Sequence, residues 1–200
     1  MRIQELWSRG RLAARRIVRQ AYMYRGPIKR HGTVLDDTLQ RSIASIRSGI
    51  YQLSDLEYGI LLGVLLSRAP ANALIFGLGA DSELWSWANR GGRTVFLEDR
   101  VEWVKAVAGA ECHHVTYPGL ELPTTLRDVV WDVIFVDGPM GWRPEHPGRR
   151  ESIRAASKLA GAGSWIFIHD YDRANERACC DEYLGTPAYT VDRTAVFRPA

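Results

Sequence analysis

The sequence is poor in cysteine, with only Cys112, Cys179 and Cys180. Two of these are adjacent and none stands at a zinc-holding or disulfide-framing spacing, which points to a reducing compartment. No run of about 18 apolar residues occurs, so no membrane-spanning helix is expected. The opening stretch from Met1 to Arg16 carries arginines where a secretory leader needs an unbroken apolar segment. No Asn/Asp-Pro-Pro-aromatic tetrapeptide is found, and aromatic residues are sparse among the N-terminal bases, which argues against a nucleic-acid partner. Internal repeats and low-complexity tracts are lacking too. These absences lead to the expectation of a cytoplasmic globular protein.

What is present is enough apolar sequence, 46% of 200 residues, for one sizeable domain with a terminal extension. The net charge of +3 is unevenly spread. Residues 1–30 hold nine Lys or Arg against Glu5, leaving 17 bases against 22 acids in the other 170 residues. We therefore read residues 1–32 as a basic helical arm and 33–200 as the main domain. Two readings of the arm stay open. With Ile3, Leu6, Trp7, Leu12, Ile17 and Val18 as an apolar face, it can make peripheral contact with a membrane or meet an acidic glycan. Alternatively it is a solvated helix packed on its own domain or on a second subunit of an oligomer.

Residues 33–68 read as helical, broken near Gly49, with Ser54 and Glu57 forming a capping box for the second half and Pro70 ending it. Beyond that the period changes. Apolar runs at Ala73–Phe76, Thr94–Leu97, His114–Tyr117, Trp131–Val136 and Ser164–Ile168 alternate with helical stretches starting near Ser82, Glu102 and Arg149. Alternation of this kind implies an α/β fold with a doubly wound, mostly parallel sheet. Tyr189–Val191 and Thr194–Phe197, flanking Asp192-Arg193, read as a C-terminal antiparallel hairpin.

In such a sheet the working groups follow the carboxyl ends of the strands. Those ends carry Gly77, Gly79 and Asp81, then Glu98, then Tyr117, then Asp137, then His169, Asp170 and Asp172. Gly77 and Gly79 allow close backbone approach to a ligand, and Ser82 is placed to cap the next helix. Glu98, about 20 residues on, suits a pair of ribose hydroxyls. Asp81 would repel a pyrophosphate but suits a cationic, amino-acid-bearing ligand. S-adenosylmethionine has a sulfonium, an ammonium and no phosphate, so the pattern points to methyl transfer.

Asp137 and Asp170 end consecutive strands and should be neighbours, with His169 and Asp172 close by. They could hold a hard divalent cation such as Mg²⁺ or Mn²⁺ against a substrate hydroxyl. Without a metal, Asp137 or His169 would accept the hydroxyl proton as general base. Asp172 could instead cap the helix that follows. In the loop after Asp137, Trp142 can stack on a sugar ring and Arg149, or its neighbours Arg143 and Arg150, can fork onto a carboxylate. Two arginines at a helix start are unfavourable to the helix dipole, which hints at a purpose for them.

These blocks resemble the plant glucuronoxylan 4-O-methyltransferase family, which includes the related irregular-xylem proteins of xylan synthesis. Asn72–Ser82 resembles its F-G-L-G-x-D-S block, Thr94–Glu98 its F-L-E strand end, Trp131–Arg149 its D-x-P-x-G-Y-x-P-E-x-P-G-R loop and Phe167–Arg173 its H-D-x-D-R strand end. The likeness covers about residues 52–184. Trp142 stands where the family usually has tyrosine, and Gly138 at a position that can also be alanine. The resemblance implies a class I methyltransferase (Rossmann-like) fold and methyl transfer from S-adenosylmethionine to O4 of a glucuronic acid in a glycan or its precursor, with a divalent metal (Mg, Mn or Co) as a further implication. Gly77, Gly79, Asp81, Ser82 and Glu98 match the family's cofactor motifs, while Asp137, Gly141, Pro147, Arg149, His169, Asp170, Asp172 and Arg173 match its substrate-side motifs; Asp137 is expected to reach the cofactor as well. Asp137, His169 and Asp170 fall to catalysis, Asp137 and Asp170 to a metal, and Trp142, Arg149, Tyr171 and Asp172 to the substrate side. The alternatives are methylation of a small phenolic or other hydroxyl at a metal site, and a non-catalytic glycan-assembly factor.

Overall fold

A computed structural model describes residues 53–106 and 110–199. The basic arm, its boundary at residue 32 and the helical reading of residues 33–52 lie outside the described residues. The chain divides into two compact units, one holding the described residues up to Ala69 together with Ala80–Arg90, the other Pro70–Gly79 and everything from Gly91 onward.

The first unit contains helices α1 (Asp55–Arg68) and α2 (Ser82–Ala88). The capping box at the start of α1 forms as the sequence predicts. The Ser54 hydroxyl accepts from the Glu57 N–H at 3.3 Å, and the Glu57 carboxylate accepts from the Ser54 N–H at 2.7 Å. Such a cap is worth about 1 kcal/mol. Tyr58, Ile60, Leu61, Leu62, Val64 and Leu65 are all buried, so α1 is covered around most of its circumference. Within this unit Tyr58 stacks on Trp85 with ring centroids 5.5 Å apart.

The second unit is a seven-stranded sheet. Its strands are β1 (Asn72–Phe76), β2 (Arg93–Glu98), β3 (Glu111–His114), β4 (Trp131–Val136), β5 (Ala160–Ile168), β6 (Tyr189–Val191) and β7 (Thr194–Phe197). Between them run α3 (Val101–Ala106), α4 (Thr124–Arg127), α5 (Arg150–Leu159) and α6 (Ala174–Tyr183). The spatial order is β3-β2-β1-β4-β5-β7-β6, parallel except for β7, which runs antiparallel to both β5 and β6. The order reverses between β1 and β4, which makes their carboxyl ends the switch point where open α/β sheets bind ligands.

Alternation along the strands sorts the core. Leu74, Phe76, Val95, Leu97, Ile134, Val136, Ile166 and Ile168 share one cluster with Ile153 and Ala156 of α5 and Cys179 and Cys180 of α6. Ala73, Ile75, Phe96, Val133, Phe135 and Phe167, at the alternate positions, are buried as well. Central strands buried on both faces read as continuous apolar runs, which is why β1 and β4 were legible.

Two strands differ from expectation. β3 ends at His114 instead of occupying 114–117. It is an edge strand held in register by polar contacts, Arg93 donating to the Glu111 carboxylate at 2.9 and 2.6 Å, so it shows no apolar run. The apolar Val115 and Tyr117 belong to the loop that follows. β5 starts four residues before Ser164, where Ala and Gly give no apolar signal.

Candidate active site

Backbone hydrogen bonds past the strand ends lock four tips together. Gly77 N–H donates to the Leu97 carbonyl at 2.7 Å, Asp137 N–H to Phe76 at 2.9 Å and His169 N–H to Val136 at 3.0 Å. Gly77 has φ 109°, and a Cβ there would lie 3.2 Å from backbone atoms of Asp137 and Gly138. A Cβ on Gly138 would come within 2.9 Å of the Gly77 Cα. The turn after β1 and the turn after β4 therefore touch backbone to backbone, and the positive φ at Gly77 calls for glycine on its side. Gly79 has no positive φ, so of the two turn glycines Gly77 carries the conformational demand.

Glu98 ends β2 and is buried. Its Oε2 accepts from the Leu78 N–H at 2.7 Å and its Oε1 from the Arg100 N–H at 2.8 Å. Burial raises its pKa; the two N–H donors pull the other way, and the adjacent Asp99 adds to the rise. Each oxygen keeps a lone pair for an incoming hydroxyl. This carboxylate, with a close-approach glycine turn beside it, can accept from a pair of adjacent hydroxyls.

Asp81 and Ser82 fall in the first unit. Asp81 occupies the N-cap position of α2, yet its side chain makes no capping bond; its Oδ2 accepts from the Tyr58 hydroxyl at 3.0 Å. Ser82, expected as the cap, is the first helical residue and is buried.

The tips of β4 and β5 converge on Arg149. Its Nη1 donates to the His169 carbonyl at 2.5 Å, and its Nη2 to the Asp137 carbonyl at 3.1 Å and to Asp137 Oδ1 at 3.0 Å. The same Nη2 lies 2.7 Å from Asp170 Oδ2. Arg149 is only 4% exposed, so the substrate clamp expected of it is not what it forms. Placed at the N-cap of α5 without capping it, Arg149 turns its charge onto the strand tips, which explains a base at a helix start.

His169 Nδ1 lies 2.7 Å from Asp137 Oδ1. An ionised carboxylate only accepts, so the proton sits on Nδ1 and His169 donates. Burial by itself would raise the Asp137 pKa, but the Arg149 guanidinium and His169 outweigh it and hold the carboxyl below its ordinary value. Both partners bind Oδ1, which leaves Oδ2 for a ligand, and the side chain is 28% exposed.

His169 and Asp170 are buried, 0% and 1% exposed. Asp170, with φ 60°, is further held by Arg173 Nη2 at 3.0 Å and Arg193 Nη1 at 3.1 Å. Of the three expected catalytic groups, Asp137 alone is part-exposed. Asp172 is exposed and does not cap α6, whose N-cap is Arg173. Tyr171 packs edge-on against Phe197 at 6.3 Å, with Arg177 over its ring at 5.5 Å, so it serves the core more than a ligand. Trp142 is 56% exposed, with Arg143 over its ring at 4.1 Å and His146 edge-on at 4.7 Å. Unlike Arg149, Arg143 is exposed, and its Nη1 lies 3.7 Å from Glu145 Oε1 at the surface.

Oxygen and nitrogen atoms of Asp137, His169 and Asp170 lie within 4.8 Å of one another, a spacing that could suit a metal ion. The guanidinium of Arg149 already bridges the two carboxylates, and His169 Nδ1 is committed to Asp137. The residues as arranged do not fit a divalent cation here. Sequence reading could not find Arg193 or Gly138 as parts of this site. Arg193 lies 23 residues from Asp170, and Gly138 matters only because Gly77 touches it.

A match to the IRX15/IRX15L/GXM family covers residues 56–120 and 119–198. The chain belongs to this family. Arabinogalactan O-methyltransferase 2 of Arabidopsis thaliana is 35% identical over 66% of this chain and 61% of its own length. Glucuronoxylan 4-O-methyltransferase 1 of the same plant is 34% identical over 60% of this chain and 57% of its own. The chain thus spans about three fifths of the length of these two curated relatives. A solved TDP-rhamnose 3′-O-methyltransferase of calicheamicin biosynthesis shares the fold, with a TM-score of 0.51 at 13% identity over 94% of this chain and 93% of that one. The fold of this family member is that of the class I methyltransferases.

Proposed function

We propose that the protein is an S-adenosylmethionine-dependent O-methyltransferase acting on a sugar hydroxyl of a glycan or its precursor, and that the sugar is a uronic acid methylated at O4. The observation that carries the reading is the backbone contact between Gly77 and the Asp137–Gly138 turn, which sets the cofactor-type turn and Glu98 beside a part-exposed carboxylate. The names of the family relatives support the sugar acceptor. Glu98 would hold the ribose hydroxyls, and the bound cofactor would supply an electrophilic methyl carbon on a sulfonium.

The chain's own groups do the rest. Asp137 Oδ2 orients the acceptor hydroxyl by accepting its hydrogen bond. Held below its ordinary pKa by Arg149 and His169, Asp137 is a weak base in the ground state. A weak base suffices, because an oxygen acquiring a methyl group becomes strongly acidic and releases its proton late. Trp142 offers a ring face to the sugar and Arg143 a charge to its carboxylate.

The test starts with calorimetric titration of S-adenosylmethionine into the wild type and Glu98→Ala. It continues with labelled methyl transfer to glucuronoxylan oligosaccharides, arabinogalactan and catechol. Cofactor binding that Glu98→Ala removes, followed by transfer to the acidic sugars alone, is the expected result. Absence of binding by folded protein would replace the reading with a non-catalytic assembly role, and transfer to catechol alone would replace the sugar.

A further inference from the structure

Two carboxylates and an imidazole at adjacent strand tips have the composition of a Mg²⁺ or Mn²⁺ site. Here the place between the carboxylates is filled from within the chain. Arg149 Nη2 stands 3.0 Å from Asp137 Oδ1 and 2.7 Å from Asp170 Oδ2, with the guanidinium almost fully buried. Arg173 and Arg193 add two more guanidiniums on Asp170, at 3.0 and 3.1 Å. Arg173 also lies 4.0 Å from the buried Glu176 carboxylate, so the cluster is balanced from within, with Arg149 in the space between Asp137 and Asp170. A doubly charged ion between these carboxylates would have to displace the Arg149 guanidinium or sit against it, at distances where like charges repel strongly.

We infer that Arg149 is the resident cation of this site: it takes the position a divalent ion would occupy between Asp137 and Asp170, keeps such an ion out, and positions Asp137 for the acceptor hydroxyl. The first two parts rest on geometry alone, and the third rests on the reading of Asp137 given above. An arginine does something here that an ion could not. It is covalently part of the loop between β4 and α5, and its Nη1 also binds the His169 carbonyl at 2.5 Å. The loop carrying Trp142 and Arg143 is thereby tied to the strand tips through the same group that orients the carboxylate. Arg149 acts through Asp137, as a positioning residue.

The experiment is a titration of chelator-treated protein with Mn²⁺, followed by the paramagnetic resonance signal of the free ion, on wild type, Asp137→Asn, Arg149→Ala and the Arg149→Ala/Asp137→Asn double variant. The wild type should show no Mn²⁺ binding that Asp137→Asn removes. Arg149→Ala should acquire one Mn²⁺ per chain, and the double variant should lose it. In methyl-transfer assays Arg149→Ala should lose on the order of 100-fold in kcat with KM for the cofactor little changed, and methylguanidinium, unlike methylammonium, should restore about tenfold. Stoichiometric Mn²⁺ binding by the wild type that Asp137→Asn abolishes overturns the inference. A folded Arg149→Ala with unchanged kcat, or one that guanidinium does not rescue, overturns the positioning part. If Arg149→Ala does not fold, the wild type and Asp137→Asn still decide whether the cluster takes an ion, and Arg149→Lys then tests the fork: kcat about tenfold below the wild type with no methylguanidinium effect is expected, and an unchanged kcat overturns the positioning part. The Mn²⁺ titration needs no turnover, so failure of the methyltransferase reading would leave its outcome readable.

Discussion

Glu98 at the end of β2 and Asp137 at the end of β4 are both carboxylates at the rim of one sheet, and they are held in opposite ways. Glu98 is bound by two backbone N–H groups, and burial raises its pKa. Asp137 receives a guanidinium and an imidazole N–H on one oxygen, and its pKa falls. A carboxylate held by N–H groups alone remains a strong acceptor with room for neutral donors such as ribose hydroxyls. One that is already neutralised is a weak base with a fixed direction, which suits a proton taken late. The same residue class at two tips of one sheet rim is thus set by neutral N–H donors in one place and by charged partners in the other.

The largest effect that would break this comparison is expected at Asp137. Asp137→Asn should lower kcat by about 10²–10⁴-fold, the range for removal of a positioned proton acceptor, with folding retained; steady-state kinetics on an acidic sugar acceptor checks it. Next comes Glu98→Ala, which removes two hydrogen bonds to a charged group and should weaken S-adenosylmethionine binding by roughly 10–100-fold, measured by calorimetry. An effect confined to kcat there would mean the two carboxylates do not divide the work as described. Gly138→Ala is smaller. Its Cβ must displace the Gly77 backbone from 2.9 Å by a few tenths of an ångström, so cofactor affinity should drop several-fold while the melting temperature moves only a few degrees.

The smallest effect sharpens the comparison most directly. Glu98 has a raised folded-state pKa, so its ionisation costs stability above that value, and the cost is relieved as pH falls through it. Wild-type stability relative to Glu98→Gln should therefore rise as pH drops towards the ordinary glutamate range. Asp137 has a lowered folded-state pKa, so its contribution is present above the ordinary aspartate value and is lost as pH falls through the depressed one. Relative to Asp137→Asn, the wild type should lose stability over that more acid window. Denaturant midpoints across pH for the two pairs should thus slope in opposite senses, and parallel slopes would contradict the assigned environments.

Legibility in the sequence followed burial. β1 and β4 were visible because strands covered on both faces are unbroken apolar runs, and the capping box of Ser54 and Glu57 was visible because both partners lie within one helical turn. β3 was misplaced by three residues because an edge strand held by Arg93 and Glu111 carries no such run. The acids at the strand tips were found from topology alone. Their roles were not, because a tip residue can face solvent like Trp142 or be enclosed like His169 and Asp170, and periodicity does not distinguish the two.

The sequence by itself determined the alternation of strands and helices, the Gly77 turn, the presence of Glu98 and Asp137 at strand ends and the family to which the chain belongs. These are local patterns, set by which residues favour helix, strand or turn and by which side chain follows a strand. Tertiary structure alone decided that Arg149, twelve residues beyond Asp137, turns inward to bridge Asp137 and Asp170, that Arg193 joins from the hairpin, and that Gly138 lies against the Gly77 backbone. The reason is physical. Charge compensation and backbone clearance in a buried site depend on distances between groups that are far apart in the chain, and a few ångströms separate an arginine that grips substrate from one that stands in for an ion.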